Sequence, residues 1–175
     1  LFVKTVTSEG YGEALKEGKS ITGAEFCAPI TALHGHVKYL LERSDFIFLP
    51  FYLDNKFRRD GGRRQYCYYT QFAPSLASAI RDDHDDTKSI RNRLLTPLVH
   101  YIYSHFHTRV QLYQMMKNVS NRKIDFLKIS HAYDRAWRFK KSRLLEMKKL
   151  YDRYAHSEGE FHVVFLGRPY SILSK

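Results

Sequence analysis

The sequence predicts an α/β fold with an open, mostly parallel sheet flanked by helices. Continuous apolar runs are typical of strands that are buried on both faces of a parallel sheet. Between these runs, apolar residues recur at helical spacing. With 175 residues, 43% of them hydrophobic, the chain has enough apolar side chains for a packed core. We expect an α/β domain at 1–120, a long connecting helix at 121–158, and the first strand and turn of a second, truncated α/β unit at 159–175.

The first half of the chain alternates extended and helical segments. The predicted elements are an extended run at 1–6, a helix from 8 to about 16 closed by Gly18, a helix at 30–42 and a buried strand at 46–50. Pro29 stands just before the second helix, where its missing N–H does no harm. Segments of this kind, in this order, favour a parallel sheet.

The second half is dominated by one long helix. The predicted elements are a loop at 54–65, a short helix at 74–80, a polar loop at 81–88, a strand at 93–99, helices at 108–116 and 123–156, and a strand at 161–166. The long helix carries one apolar stripe, which predicts core packing: Phe126, Ile129, Tyr133, Trp137, Leu144, Met147 and Tyr151. The closing core strand and the absent initiator Met predict a native protein that extends beyond both ends.

The chain has a formal net charge of +11. Such an excess of positive charge is typical of proteins that bind partners carrying phosphates, such as nucleic acid. Here most basic residues are dispersed among acidic ones, which favours a solvated basic surface over nucleic-acid binding. No apolar run approaches the roughly 18 residues of a membrane span, so no membrane partner is expected.

Two cysteines, Cys27 and Cys67, are too few for a disulfide scaffold and predict a reduced, cytoplasmic protein. Each stands at a turn before a predicted helix, where the positive end of the helix dipole favours a thiolate, the form that binds metals. Small buried cysteines that fill space are the alternative. A zinc site of Cys27, His34 and His36 is disfavoured, because side chains two apart on a helix diverge by about 200°.

Motifs for common catalytic chemistry are absent from this sequence. It has no glycine-rich phosphate loop and no Gly-x-Ser-x-Gly turn, so we assign neither a nucleotide site nor catalytic residues. The acidic run at 82–86 is interpreted as a solvated loop, since adjacent residues rarely converge on one cation. The sequence leaves open whether the whole protein is an enzyme.

A series of short motifs resembles one known family. The segments at 25–30, 33–37 and 45–50 contain a Cys-x-Pro turn, a His-Gly-His helix start and an apolar strand ending in Leu-Pro. These resemble the acyl-CoA dehydratase activase-related family, whose domains accompany the ATP-binding activator of 2-hydroxyacyl-CoA dehydratases. The segments at 67–71 and 167–170 are similar to the family's Cys-Pro-Tyr-x-Gln and Gly-Arg-Pro-Tyr, although Tyr68 replaces the usual Pro.

The resemblance implies a role in iron–sulfur chemistry. In the related dehydratase subunits, cysteines hold an iron–sulfur cluster that receives an electron from the activator. By this resemblance Cys27 and Cys67 are the cofactor and metal ligands, one short of the usual three. They are expected to lie close together at one edge of the sheet. The implied partners are the remainder of the chain, an ATP-dependent activator or dehydratase subunits. The alternative is a non-catalytic α/β interaction module with structural cysteines and a basic partner-binding surface.

Overall fold

A computed structural model describes residues 4–8, 10–53, 67–80, 90–100, 104–120 and 123–154. The chain divides into two compact units, residues 1–115 and 116–175. The helices and strands are α1 Tyr11–Ile21, α2 Ala28–Leu41, β1 Ile47–Phe48, β2 Phe51–Leu53, α3 Tyr68–Gln71, α4 Ala73–Ala77, α5 Ile90–Arg93, β3 Leu94–Leu95, β4 Leu98–His100, α6 His105–Val119 and α7 Phe126–Tyr154. None of these helices has the length and hydrophobicity needed to cross a membrane.

The predicted parallel pairing is confirmed, but the strands are much shorter than expected. β1 pairs with β3 and β2 with β4, both in parallel, with Ile47 opposite Leu94 and Phe51 opposite Leu98. Both pairs have the same register, so the second pair continues the first along the same two chain segments. The ladder breaks between them because Pro97 has no N–H to donate, although its carbonyl accepts from the Phe51 N–H at 3.0 Å.

The core of the first unit lies between α2, the strands and the short helices. Its buried members are Val37, Leu41, Ile47, Ala77, Ile80, Ile90 and Leu94. The Arg93 guanidinium donates to the carbonyls of Leu41 and Ser44, which ties the end of α5 to the end of α2. This side chain therefore satisfies carbonyls that the helix end leaves without an intrahelical donor.

Helix α1 differs from its prediction at both ends. It begins at Tyr11, after Gly10 with φ of 87°, and runs past Gly18 to Ile21. The prediction that Gly18 closes the helix is wrong, because this glycine serves helix packing instead. A Cβ on Gly18 would lie 1.8 Å from the Thr31 carbonyl oxygen, and one on Gly35 would lie 2.0 Å from that of Ala14. Both glycines thus let α1 and α2 approach backbone to backbone.

Helix α7 contradicts the expected core packing along much of its length. Ile129 is buried, whereas Leu144, Met147 and Tyr151 are 56%, 66% and 66% exposed. The described part of the second unit consists of the end of α6, a short connection and α7. It therefore offers no second element that could cover the stripe.

Several predicted features lie outside the described residues. They are the start of the chain at 1–3, the loops at 54–65 and 81–88, the strand at 161–166 and the turn at 167–170. The second α/β unit expected at 159–175 and the domain boundary at 120 therefore stay predictions.

Candidate functional site

The two cysteines occupy equivalent places in the fold. Cys27 is the N-cap residue of α2 and Cys67 that of α3, with φ and ψ of −63° and 149° at the first and −51° and 139° at the second. Each carbonyl begins its helix: the Cys27 oxygen accepts from the Ile30 N–H at 2.9 Å, and the Cys67 oxygen accepts from the Gln71 N–H at 3.1 Å. Cys27 lies just before its helix, as predicted. Cys67 was expected a few residues before a helix at 74–80, but it directly precedes the short helix α3, which was not predicted.

Both thiols face solvent. Cys27 and Cys67 are exposed, and neither side chain makes a capping hydrogen bond to its helix. Space-filling in a core is therefore not their role. Exposed thiols that are not committed to a cap are open to metal ions and to oxidants.

An aromatic contact joins the two cysteine segments. The ring of Phe26, the residue before Cys27, meets the ring of Tyr69 edge to face, with centroids 5.9 Å apart and planes at 85°. Tyr69 stands two residues after Cys67. The contact brings the turn before α2 beside the turn before α3.

His34 packs against the Phe26 side of this contact. His34 is 5% exposed, and its ring stacks on that of Phe26, with centroids 5.3 Å apart and planes at 16°. Nδ1 lies 2.7 Å from the Ile30 carbonyl oxygen. Because a carbonyl only accepts, Nδ1 carries the proton and donates it there. His34 thus acts as a packed, hydrogen-bonded core residue that fixes the Phe26 ring.

Thiolates at these turns are the type of ligand that an iron–sulfur cluster takes, but they are too few to hold one. Thiolates are the soft ligands that such clusters prefer, and common clusters use about four of them. Within the described ranges, no group of three or more His, Cys, Asp or Glu side chains is placed to hold a metal ion. The described residues thus offer at most two thiolates, and a complete site needs further donors.

A separate crevice lies between α1 and α2. It has a volume of about 290 Å³ and is lined on the α1 side by Glu13 and Glu17 and on the α2 side by His36 and Lys38. Lys38 Nζ pairs with Glu17 Oε1 at 2.6 Å. Burial lowers the pKa of His36 below its ordinary value of 6.5, because the charged imidazolium loses hydration. His34 and His36 have different surroundings, as the helical spacing predicts.

Sequence reasoning missed the aromatic group of Phe26, His34 and Tyr69. An aromatic residue close to each cysteine was the available clue, yet a pairing between segments so far apart in the chain depends on the tertiary fold. The sequence suggests only a metal-ligand role for His34. Its stacking and its hydrogen bond to Ile30 could not be deduced from helical spacing alone.

Comparison with known proteins gives a match at the level of a family. The sequence model of a family described as the CoA enzyme activase uncharacterised domain matches residues 1–175. No curated protein and no solved structure matches the chain.

Proposed function

The chain belongs to the family of the CoA enzyme activase uncharacterised domain, and from this premise we propose that it supplies the thiolates of Cys27 and Cys67 to one iron–sulfur cluster site of an activase-like protein. The contact between Phe26 and Tyr69 is the observation that carries the proposal. It ties together two helix starts that each present an exposed thiol.

The two thiolates form part of a shared site. The remaining ligands come from residues outside the described ranges or from a partner, either an ATP-dependent activator or a dehydratase subunit. When bound, the cluster supplies one-electron transfer. The chain holds two thiolates at adjacent turns of one folded unit. This lowers the free-energy cost of bringing the ligands together.

Anaerobic reconstitution with iron and sulfide tests the proposal. The wild-type chain is expected to retain both and to show visible thiolate-to-iron absorption. Cys27→Ser and Cys67→Ser should each lower bound iron by more than half, because the shared site loses one of the two thiolates that this chain supplies. His36→Gln is the matched control, since it removes a donor side chain in the α1–α2 crevice, and it should retain wild-type iron.

Equal iron in the wild type and in the Cys27→Ser, Cys67→Ser double variant would contradict the proposal. Iron lost in only one single variant would also contradict it, because the two residues would then not share a site.

A second function is favoured by helix α7. This helix carries nine Lys and Arg against three Asp and Glu. It also exposes large apolar side chains, among them Leu127, Phe139 and Leu145 at 62%, 62% and 51%. These features suit a non-catalytic interaction module with a basic partner-binding surface. In that case the reconstituted wild type holds no iron.

A further inference from the structure

A second concavity lies in the first unit, between α4 and the face of the strands. Its volume is about 400 Å³, within the range of about 300 to 1,000 Å³ that is typical of small-molecule sites. Phe51, Leu94 and Thr96 form one wall. Alternate residues of a strand share a face, and Leu94 stands opposite Ile47 in the register, so all three lie on the face that also carries the core.

The polar groups of this groove favour an anion. Arg91 contributes a guanidinium, while Ser75 and Thr96 contribute hydroxyl donors. The Ser78 hydroxyl donates to the Ser75 carbonyl at 2.7 Å and is already used. No acidic side chain is among the described residues that line the groove. The α1–α2 crevice differs, because three glutamates line it.

The apolar walls favour an organic body attached to that anion. Phe51 and Leu94 on the strands and Pro74 on α4 are the apolar residues that line the groove. Pro74 and Leu94 are buried and present little surface to the groove, so Phe51 supplies most of its apolar contact, and Arg91 is exposed. A guanidinium binds phosphate oxygens through two parallel N–H donors, a geometry that a phosphate ester retains.

We propose that this groove binds a small phosphorylated organic molecule, with its phosphate on Arg91, Ser75 and Thr96 and its apolar part against Phe51. The groove uses none of the residues of the cysteine site, so the proposal stands or falls independently of cluster binding. It assigns a ligand class to the first unit.

Calorimetric titration of the chain with inorganic phosphate and with phenyl phosphate, at one fixed ionic strength, tests the proposal. Phenyl phosphate is expected to bind more tightly than inorganic phosphate, because its ring reaches the apolar walls. Arg91→Gln should weaken both ligands about tenfold or more, the equivalent of about 1.4 kcal/mol. Ser75→Ala, at an exposed position, should weaken both by a smaller factor. Phe51→Leu should weaken phenyl phosphate alone.

Arg138→Gln on α7 is the matched control, since it removes one exposed guanidinium outside the groove. It should leave both affinities unchanged. Equal loss in Arg138→Gln and Arg91→Gln would overturn the proposal, because attraction to the net positive charge would then explain the binding. Absence of saturable binding at millimolar phenyl phosphate, or equal affinity for the two ligands, would overturn it as well.

Discussion

At the residue scale, Phe26 and Tyr69 each stand within two positions of a cysteine, and their rings meet at 5.9 Å. An edge-to-face pair of this kind brings the electropositive edge of one ring to the electronegative face of the other. His34 stacks on the Phe26 ring, and its own position is fixed by its hydrogen bond to the Ile30 carbonyl. The relative position of the two cysteine turns therefore depends on aromatic packing.

A double-mutant cycle measures this contact. Phe26→Leu and Tyr69→Leu each keep an apolar side chain and remove the ring geometry. The coupling free energy between them is expected to be about 0.5–1.5 kcal/mol in urea unfolding. The pair Phe26→Leu with Phe72→Leu is the control and should be additive. Additivity in the Phe26–Tyr69 pair would mean that the ring contact does not hold the turns together.

His36 predicts a pH dependence of stability. Its folded-state pKa lies below the ordinary 6.5 because of desolvation, so the unfolded chain binds this proton more tightly than the folded one. The stabilising contribution is complete above 6.5 and is lost as pH falls through that value towards the folded-state pKa. The wild type should lose more free energy of unfolding between pH about 7.5 and about 5.5 than His36→Gln does.

His131→Gln, on an exposed position of α7, is the control for this measurement. It should show the wild-type loss. If His36→Gln and the wild type lose the same free energy over this pH range, burial of His36 does not govern the effect.

At the scale of the elements, the approach of α1 to α2 depends on two glycines. Gly18 faces the Thr31 carbonyl and Gly35 faces that of Ala14, and a Cβ at either position would overlap backbone oxygen. Backbone cannot move aside as a flexible side chain can, so the helices must separate to admit a methyl group. The crevice that contains His36 lies along the same helix pair.

Glycine-to-alanine substitutions test this packing. Gly18→Ala and Gly35→Ala should each lower the free energy of unfolding by about 1–3 kcal/mol, as overpacking does. Gly12→Ala is the control in α1, because nothing lies within 4 Å of its added Cβ. It should raise the free energy of unfolding by up to about 1 kcal/mol through helix propensity. Unchanged stability in Gly18→Ala would contradict the close approach.

Elements were easier to predict than their ends. The apolar runs at 46–50 and 93–99 predicted strands of a parallel sheet, and these strands pair with each other in parallel. The break in the strand pairing arises because Pro97 faces the partner strand. Which side Pro97 faces can be known only from the register of the two strands. Gly18 was misinterpreted as a helix end because a glycine that closes a helix and one that admits a neighbouring helix look alike in a single sequence.

At the scale of the whole molecule, the positive charge is unevenly distributed. Helix α7 alone carries a net charge of +6 of the +11 for the chain. In α1, by contrast, Lys16 and Lys19 alternate with Glu13 and Glu17. A surface with one dominant sign of charge attracts anions more strongly than a mixed surface of equal size. We therefore expect α7 to dominate binding to polyanions.

Elution from a heparin column tests the charge distribution. A variant with Arg138→Gln, Lys141→Gln and Lys149→Gln should elute at clearly lower salt than the wild type. The control removes the same charge elsewhere, through Lys4→Gln, Lys16→Gln and Lys19→Gln, and should shift elution less. Equal shifts would show that net charge alone governs retention and that α7 is not a distinct basic surface.

Family membership was predictable from the sequence, because short motifs recur in the right order along most of the chain, and it is confirmed over residues 1–175. The candidate ligands Cys27 and Cys67 were identified in the same way. The structural support for the proposed shared site was not predictable, since it depends on the rings of Phe26 and Tyr69 meeting in three dimensions. Core packing of α7 was predicted wrongly, because an apolar stripe does not reveal whether anything covers it.

Spin labelling of the two cysteines tests the shared site most directly, because the chain has only these two thiols and needs no further substitution. The doubly labelled chain is expected to show strong dipolar broadening in its continuous-wave spectrum. Cys27→Ser and Cys67→Ser, each with one label, supply the unbroadened references. A spectrum of the doubly labelled chain equal to the sum of these references would place the thiols too far apart to serve one cluster and would contradict the account.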